Sequence, residues 1–177
     1  MEPIEAISWY CHRYGPGRLP GADRDHIGAG YAAATGALAA ALLFAAGTFV
    51  AHLLGASLVV AHPFWSALAL LATGLVVPVA FVSAVVVWRY SRTLTPNFGA
   101  VAGALTVAMT YALSLVATFL AVAAFLMASG ATGWVTVATD AAVLSALIAI
   151  FALVFTAWFT IPLGIIGGWT YERATRH

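Results

Sequence analysis

Four long apolar runs, separated by short polar breaks, organise this 177-residue chain. They cover about residues 25–54, 63–88, 98–128 and 140–169. Each exceeds the roughly 20 residues that an α-helix needs to cross hydrocarbon, so tilted helices or protruding ends are expected. Asp23 or Asp25 can cap the first run, and Asp140, following Thr139, reads as the cap of the fourth. Pro78 and Pro162 fall inside the second and fourth runs, where each removes a backbone donor and predicts a kink. The links between runs are short, which makes consecutive spans antiparallel neighbours. The pattern predicts an all-α integral membrane protein built as a four-span antiparallel helical bundle.

Ahead of the runs, residues 2–14 predict a short amphipathic helix lying at the membrane interface. Ile4, Ile7, Cys11 and Tyr14 share one helical face, while Glu5, His12 and Arg13 lie off it. Trp9, Tyr10 and Tyr14 suit the headgroup zone. Gly15, Pro16, Gly17, Pro20 and Gly21 then break any helix. The chain divides into an interfacial segment (1–24), a first transmembrane hairpin (25–95) and a second hairpin with a short tail (96–177).

The two hairpins resemble each other faintly. Trp88-Arg89-Tyr90-Ser91-Arg92 matches Trp169-Thr170-Tyr171-Glu172-Arg173 in its Trp, Tyr and last Arg. Thr48-Phe49 matches Thr118-Phe119, and Ser66-Ala67-Leu68 recurs as Ser145-Ala146-Leu147. Duplication would give parallel repeats about an axis along the membrane normal. Aromatic belts and cytoplasmic arginines select the same Trp, Tyr and Arg at any such span end, so convergence accounts for the matches equally well.

Charge adds an orientation. All seven basic residues are Arg: Arg13, Arg18 and Arg24 before the first run, Arg89 and Arg92 between the second and third, Arg173 and Arg176 after the fourth. The other two links carry none. Positive flanks stay cytoplasmic, so the expectation is a multi-pass plasma-membrane protein with both termini inside. The lack of Lys and wealth of Ala fit a GC-rich prokaryotic genome. Hydrophobic residues make up 63% and charged residues 7%, against about 25% charged in a soluble domain. The formal net charge of +1 gives no electrostatic case for nucleic acid. The lone Cys11 forms no internal disulfide.

Small residues mark three span ends. Gly28, Ala32 and Gly36 recur every fourth position, and Gly99 with Gly103 and Gly164 with Gly168 form Gly-xxx-Gly pairs. Such residues let helix backbones approach where lipid removes the hydrophobic drive. They serve either packing within one protomer or a dimer surface. The third run also carries hydroxyls on one side: at roughly 100° per residue, Gly99, Gly103, Thr106, Thr110 and Ser114 fall within about 80°. Thr156 and Thr160 are their counterparts in the fourth. These five hydroxyls either line a narrow polar path or bond their own helices.

His52 and His62 flank the first outer turn and are the remaining candidate ligands, for a haem or a metal. Two imidazoles fall short of a structural zinc site, which wants four ligands, and the expectation is no cofactor. No acid, base or amide lies deep in a run, which argues against a proton-driven pump. No phosphate loop, nucleophile elbow or paired carboxylate stands out. The expected function is therefore non-catalytic: a membrane subunit, or a self-associating oligomeric scaffold, that packs against the bilayer and other membrane helices. A small-solute channel or transporter acting as an oligomer is the alternative, and a haem- or quinone-associated membrane anchor the third.

Overall fold

The computed structural model describes residues 19–56, 62–91, 98–130 and 133–175. The expected interfacial helix over residues 2–14 lies outside this set, as do Cys11, Arg13, Arg18, Arg92 and Arg176. The described residues form four α-helices and no strand: α1 (Asp25–Leu53), α2 (Pro63–Ser91), α3 (Gly99–Ala128) and α4 (Trp134–Thr175). All four are long and apolar enough to cross a membrane, with mean hydropathies between 1.9 and 2.5.

Turn chemistry explains where α1 and α3 stop. Gly55 has a φ of +68°, a left-handed conformation cheap only for glycine. It lets the Gly55 N–H donate to the His52 carbonyl and the Ala56 N–H to the Ala51 carbonyl, both at 3.0 Å. This double bond pattern is a Schellman cap, which satisfies carbonyls the helix leaves open. Gly130 ends α3 in a similar way, with a φ of +89° and its N–H on the Met127 carbonyl at 3.2 Å.

Helix starts differ from the sequence expectation in two places. Position 24, not Asp23 or Asp25, is the N-cap of α1, and the Arg24 side chain makes no capping bond. Asp25 instead occupies the first turn, where a carboxylate favours the positive end of the helix. Nor does Asp140 cap α4. That helix begins at Trp134, with Val137 N–H already bonded to the Gly133 carbonyl at 3.1 Å. Asp140 is exposed, so its carboxylate is solvated from within the helix and has no need to end it. At its other end α4 runs past Trp169 to Thr175, giving 42 residues. At 1.5 Å per residue this is about 63 Å, twice the hydrocarbon thickness. Helix continues through both Pro78 and Pro162.

Contacts are most extensive between α1 and α2 and between α3 and α4; α2 meets α3 less, and α1 touches α4 sparingly. Side chains show which ends meet. An added Cβ at Gly30 would lie 2.7 Å from Val85 and 2.9 Å from Phe81, so the start of α1 presses on the end of α2. Gly99 lies against Gly168 and Glu172, joining the start of α3 to the end of α4. A small cluster then ties these four ends into one pole: Ala29 from α1, Ala84, Val87 and Trp88 from α2, Phe98 and Ala102 at the start of α3, with Tyr171 of α4 packed against it.

The interior is built from small side chains. Ala29, Ala45, Ala80, Ala84, Ala102 and Ala141 are buried, and Ser83 and Ser145 are almost completely enclosed. Large apolar residues point the other way: Leu43, Leu71 and Trp158 are 72%, 78% and 74% exposed. A water-soluble domain has the reverse order.

Candidate functional site

The seam between α3 and α4 gathers most of the residues that the sequence singles out. At the pole, four glycines interlock. A Cβ on Gly103 would collide with the Gly164 carbonyl and come within 3.3 Å of the Gly168 Cα. One on Gly168 would lie 2.9 Å from the Gly103 Cα. The backbones therefore touch, and glycine is the residue that permits it. Gly28 belongs to a different contact, with the Tyr171 ring hydroxyl beside it. Among the described residues nothing lies within 4 Å of a Cβ added at Gly36.

Glu172 closes the same end of the seam. Its carboxylate accepts from the Phe98 N–H at 3.1 Å and the Gly99 N–H at 2.7 Å. Phe98 is the N-cap of α3 and cannot supply a capping side chain, so a residue from α4 does so. The exposed amides at a helix start carry partial positive charge, which favours this carboxylate. Next to it, the Tyr171 hydroxyl donates to the Asp25 carbonyl at 2.8 Å, and its ring meets Trp88 edge-on at 4.9 Å.

Deeper along the seam lies a hydroxyl cluster. The Tyr111 hydroxyl is 2.6 Å from Thr156 Oγ1 and 2.8 Å from Thr160 Oγ1. Thr156 and Thr160 can also donate to carbonyls of their own helix, those of Ala152 and Thr156, at 2.7 and 3.0 Å. Three hydroxyl protons thus serve four contacts. With both threonines donating to their own helix, Tyr111 donates to one of them and its contact with the other carries no proton; that contact is filled only when the second threonine turns its proton from its helix carbonyl to the Tyr111 phenolic oxygen. Of the remaining hydroxyls proposed for a polar path, Thr110 donates to the Thr106 carbonyl at 2.7 Å. The hydroxyls of Thr106 and Ser114 are buried without a hydrogen-bond partner among the described residues, as are those of Ser83 and Ser145.

The two histidines are placed apart from this seam. His52 is exposed in the last turn of α1. His62 is exposed just before α2, and its Nδ1 accepts the Phe64 N–H at 3.2 Å, a bond that starts the helix. Among the described residues no three His, Cys, Asp or Glu side chains cluster as a metal site would need. A groove of about 290 Å³ runs between α2 and α3 and is lined by Pro78, Val79, Val82, Leu113, Val116, Ala117 and Leu120. All are apolar, so it lacks the convergent polar groups that orient a small-molecule ligand.

Two functional residues escaped the sequence reading. Tyr111 lies one position past Thr110, off the hydroxyl side of α3, but a tyrosine in mid-span is itself a signal. Its hydroxyl must find a partner when removed from the interface that tyrosines favour. Glu172 appeared only as a mismatch to Ser91 in the internal alignment, and nothing local marks a carboxylate that acts 73 positions away. No protein-family model matches this chain, and neither curated proteins nor solved structures give a significant match.

Proposed function

We propose that this chain is a non-catalytic integral membrane protein: a four-span antiparallel bundle with both termini cytoplasmic, acting as a subunit or self-associating scaffold of a larger complex in a prokaryotic plasma membrane. The observation that carries the reading is the inverted distribution of side chains. Leu43, Leu71 and Trp158 point outward while alanine, glycine and serine fill the seams, as suits a medium of acyl chains. Arg24, Arg89 and Arg173 lie at the pole where α1 and α3 begin and α2 and α4 end, and all three are exposed. The Tyr111 hydroxyl draws Thr156 and Thr160 into a cross-helix tie, which supports a closed seam in preference to a lumen. Gly36 and Gly47 on α1 have open space beside them, leaving a face where a further helix can pack.

Cross-linking in native membranes followed by mass analysis tests this reading. Species containing two or more copies, or fixed partner chains, are expected. Flux of a small solute through the purified protein in liposomes, with no partner chain captured, overturns it. That result would favour the channel reading, which the partnerless hydroxyls of Ser83, Thr106, Ser114 and Ser145 support.

A further inference from the structure

The outer face of α4 near the arginine pole has the layout of one phospholipid. At roughly 100° per residue, Trp158, Pro162, Ile165, Trp169 and Arg173 fall within about 80° of one another. All five are exposed. Arg173 places its guanidinium 3.9 Å from the centre of the Trp169 ring, so the cation is held flat at the helix surface and its rotamer freedom is already reduced. The carboxylate of the adjacent Glu172 is directed to the amides of Phe98 and Gly99, across the α3–α4 seam. Below the cation come an indole, two isoleucines counting the neighbouring Ile166, and the proline. From Arg173 to Trp158 the helix rises about 22 Å, close to half of a bilayer with its headgroups.

We propose that this face binds an anionic phospholipid, with the phosphate on Arg173, the glycerol level at Trp169 and an acyl chain along Ile165, Ile166 and Pro162. The inference rests on the membrane-spanning reading above. A guanidinium presents paired donors that match two phosphate oxygens. The indole face beneath Arg173 is occupied by that cation, which closes it to the quaternary ammonium of a choline headgroup. Charge therefore favours a lipid whose phosphate has no cation of its own.

The test is native mass spectrometry of the full chain released from nanodiscs of equal phosphatidylglycerol and phosphatidylcholine. Retained phosphatidylglycerol should exceed phosphatidylcholine. Arg173→Gln should lower that ratio about fivefold, the factor that roughly 1 kcal/mol per basic residue at an anionic surface implies. Arg173→Lys, which keeps the charge but not the fork, should fall between. Arg24→Gln removes a cation at the same pole but off this face, and should leave most of the ratio intact. Equal retention of both lipids, or equal losses from Arg173→Gln and Arg24→Gln, overturns the site. Flotation with liposomes after an alkaline wash separates the two layers of the argument. A chain that floats without lipid preference refutes the site alone, whereas one that fails to float refutes the spanning reading and the site together.

Discussion

The carboxylate of Glu172, near the end of α4, accepts the backbone N–H of Gly99, the first residue of α3, at 2.7 Å. The bond has two consequences. It gives α3 the cap that Phe98 lacks, and it fixes the register of the glycine seam, because Gly99 also lies against the Gly168 carbonyl. Removing the acceptor should leave two amides without a partner at a partly buried helix start. Glu172→Ala is expected to cost about 1–2 kcal/mol, the range for losing a helix cap, and Glu172→Gln, which keeps an acceptor but no charge, less. Thermal unfolding in a mild detergent measures both. Equal and negligible shifts would mean that water replaces the carboxylate without loss.

Tyr111 offers a second measurable contact. Tyr111→Phe removes the hydroxyl and leaves the ring, so packing is kept while the bridge to Thr156 and Thr160 is lost. Since both threonines can fall back on the carbonyls of Ala152 and Thr156, the loss should be modest, about 0.6 kcal/mol and no more than about 1.7, as for other hydrogen bonds between membrane helices. A double-mutant cycle with Thr156→Val isolates the coupling. If the coupling is zero, the proton of Tyr111 rests on Thr160 alone, which the same cycle with Thr160→Val would reveal.

These contacts mark the boundary of what the sequence makes legible. The spans were readable because length and apolar character decide them, and α1 and α3 depart from the expected limits by a residue at one end. The Gly-xxx-Gly pairs of α3 and α4 were readable because small side chains at that spacing have few other uses in a membrane. What could not be read is which face of each helix meets which neighbour. Trp88 and Trp169 occupy equivalent places in the internal alignment, yet Trp88 is 8% exposed and Trp169 is 41% exposed. Their tyrosines reverse the order: Tyr90 is 72% exposed while Tyr171 turns inward onto Trp88. The same local letters thus serve a buried contact in one hairpin and an exposed surface in the other. Asp140 failed for a related reason. A charged residue at a span end reads as a stop, whereas the helix simply carries it outward from Trp134 onward.

The glycines of α1 and α3 should respond in opposite ways to the same replacement. Gly103→Leu drives a side chain into the Gly164 carbonyl, so it should separate α3 from α4. The expected cost is at least the roughly 1–3 kcal/mol of an overpacked interior, seen as a lower unfolding temperature. A Cβ at Gly36 meets none of the described residues within 4 Å, so Gly36→Leu should leave that temperature unchanged. If α1 packs against another helix in the assembled state, Gly36→Leu should instead lower the yield of cross-linked species. A Gly36→Leu protein that assembles normally would move the assembly surface to another face.

Orientation is the last expectation, and it rests on the arginines. Every Arg lies before α1, between the last turn of α2 and the start of α3, or from the last turn of α4 onward, and none lies in the two links at the opposite pole. With a bias of seven to none, the arginine pole should face the cytoplasm. Replacing Cys11 by Ser gives a background without thiols, because it is the only cysteine. Gly133→Cys and Thr175→Cys then place single thiols at the two ends of α4. In intact cells a membrane-impermeant maleimide should label the first and spare the second until the membrane is opened with detergent. Gly133 has a φ of +99°, so a Cys there is strained, and Ser129→Cys on the same link serves as its control. Labelling at Thr175 alone would invert the topology. Labelling at both ends in sealed cells would mean that α4 does not cross the bilayer, despite a length that exceeds it.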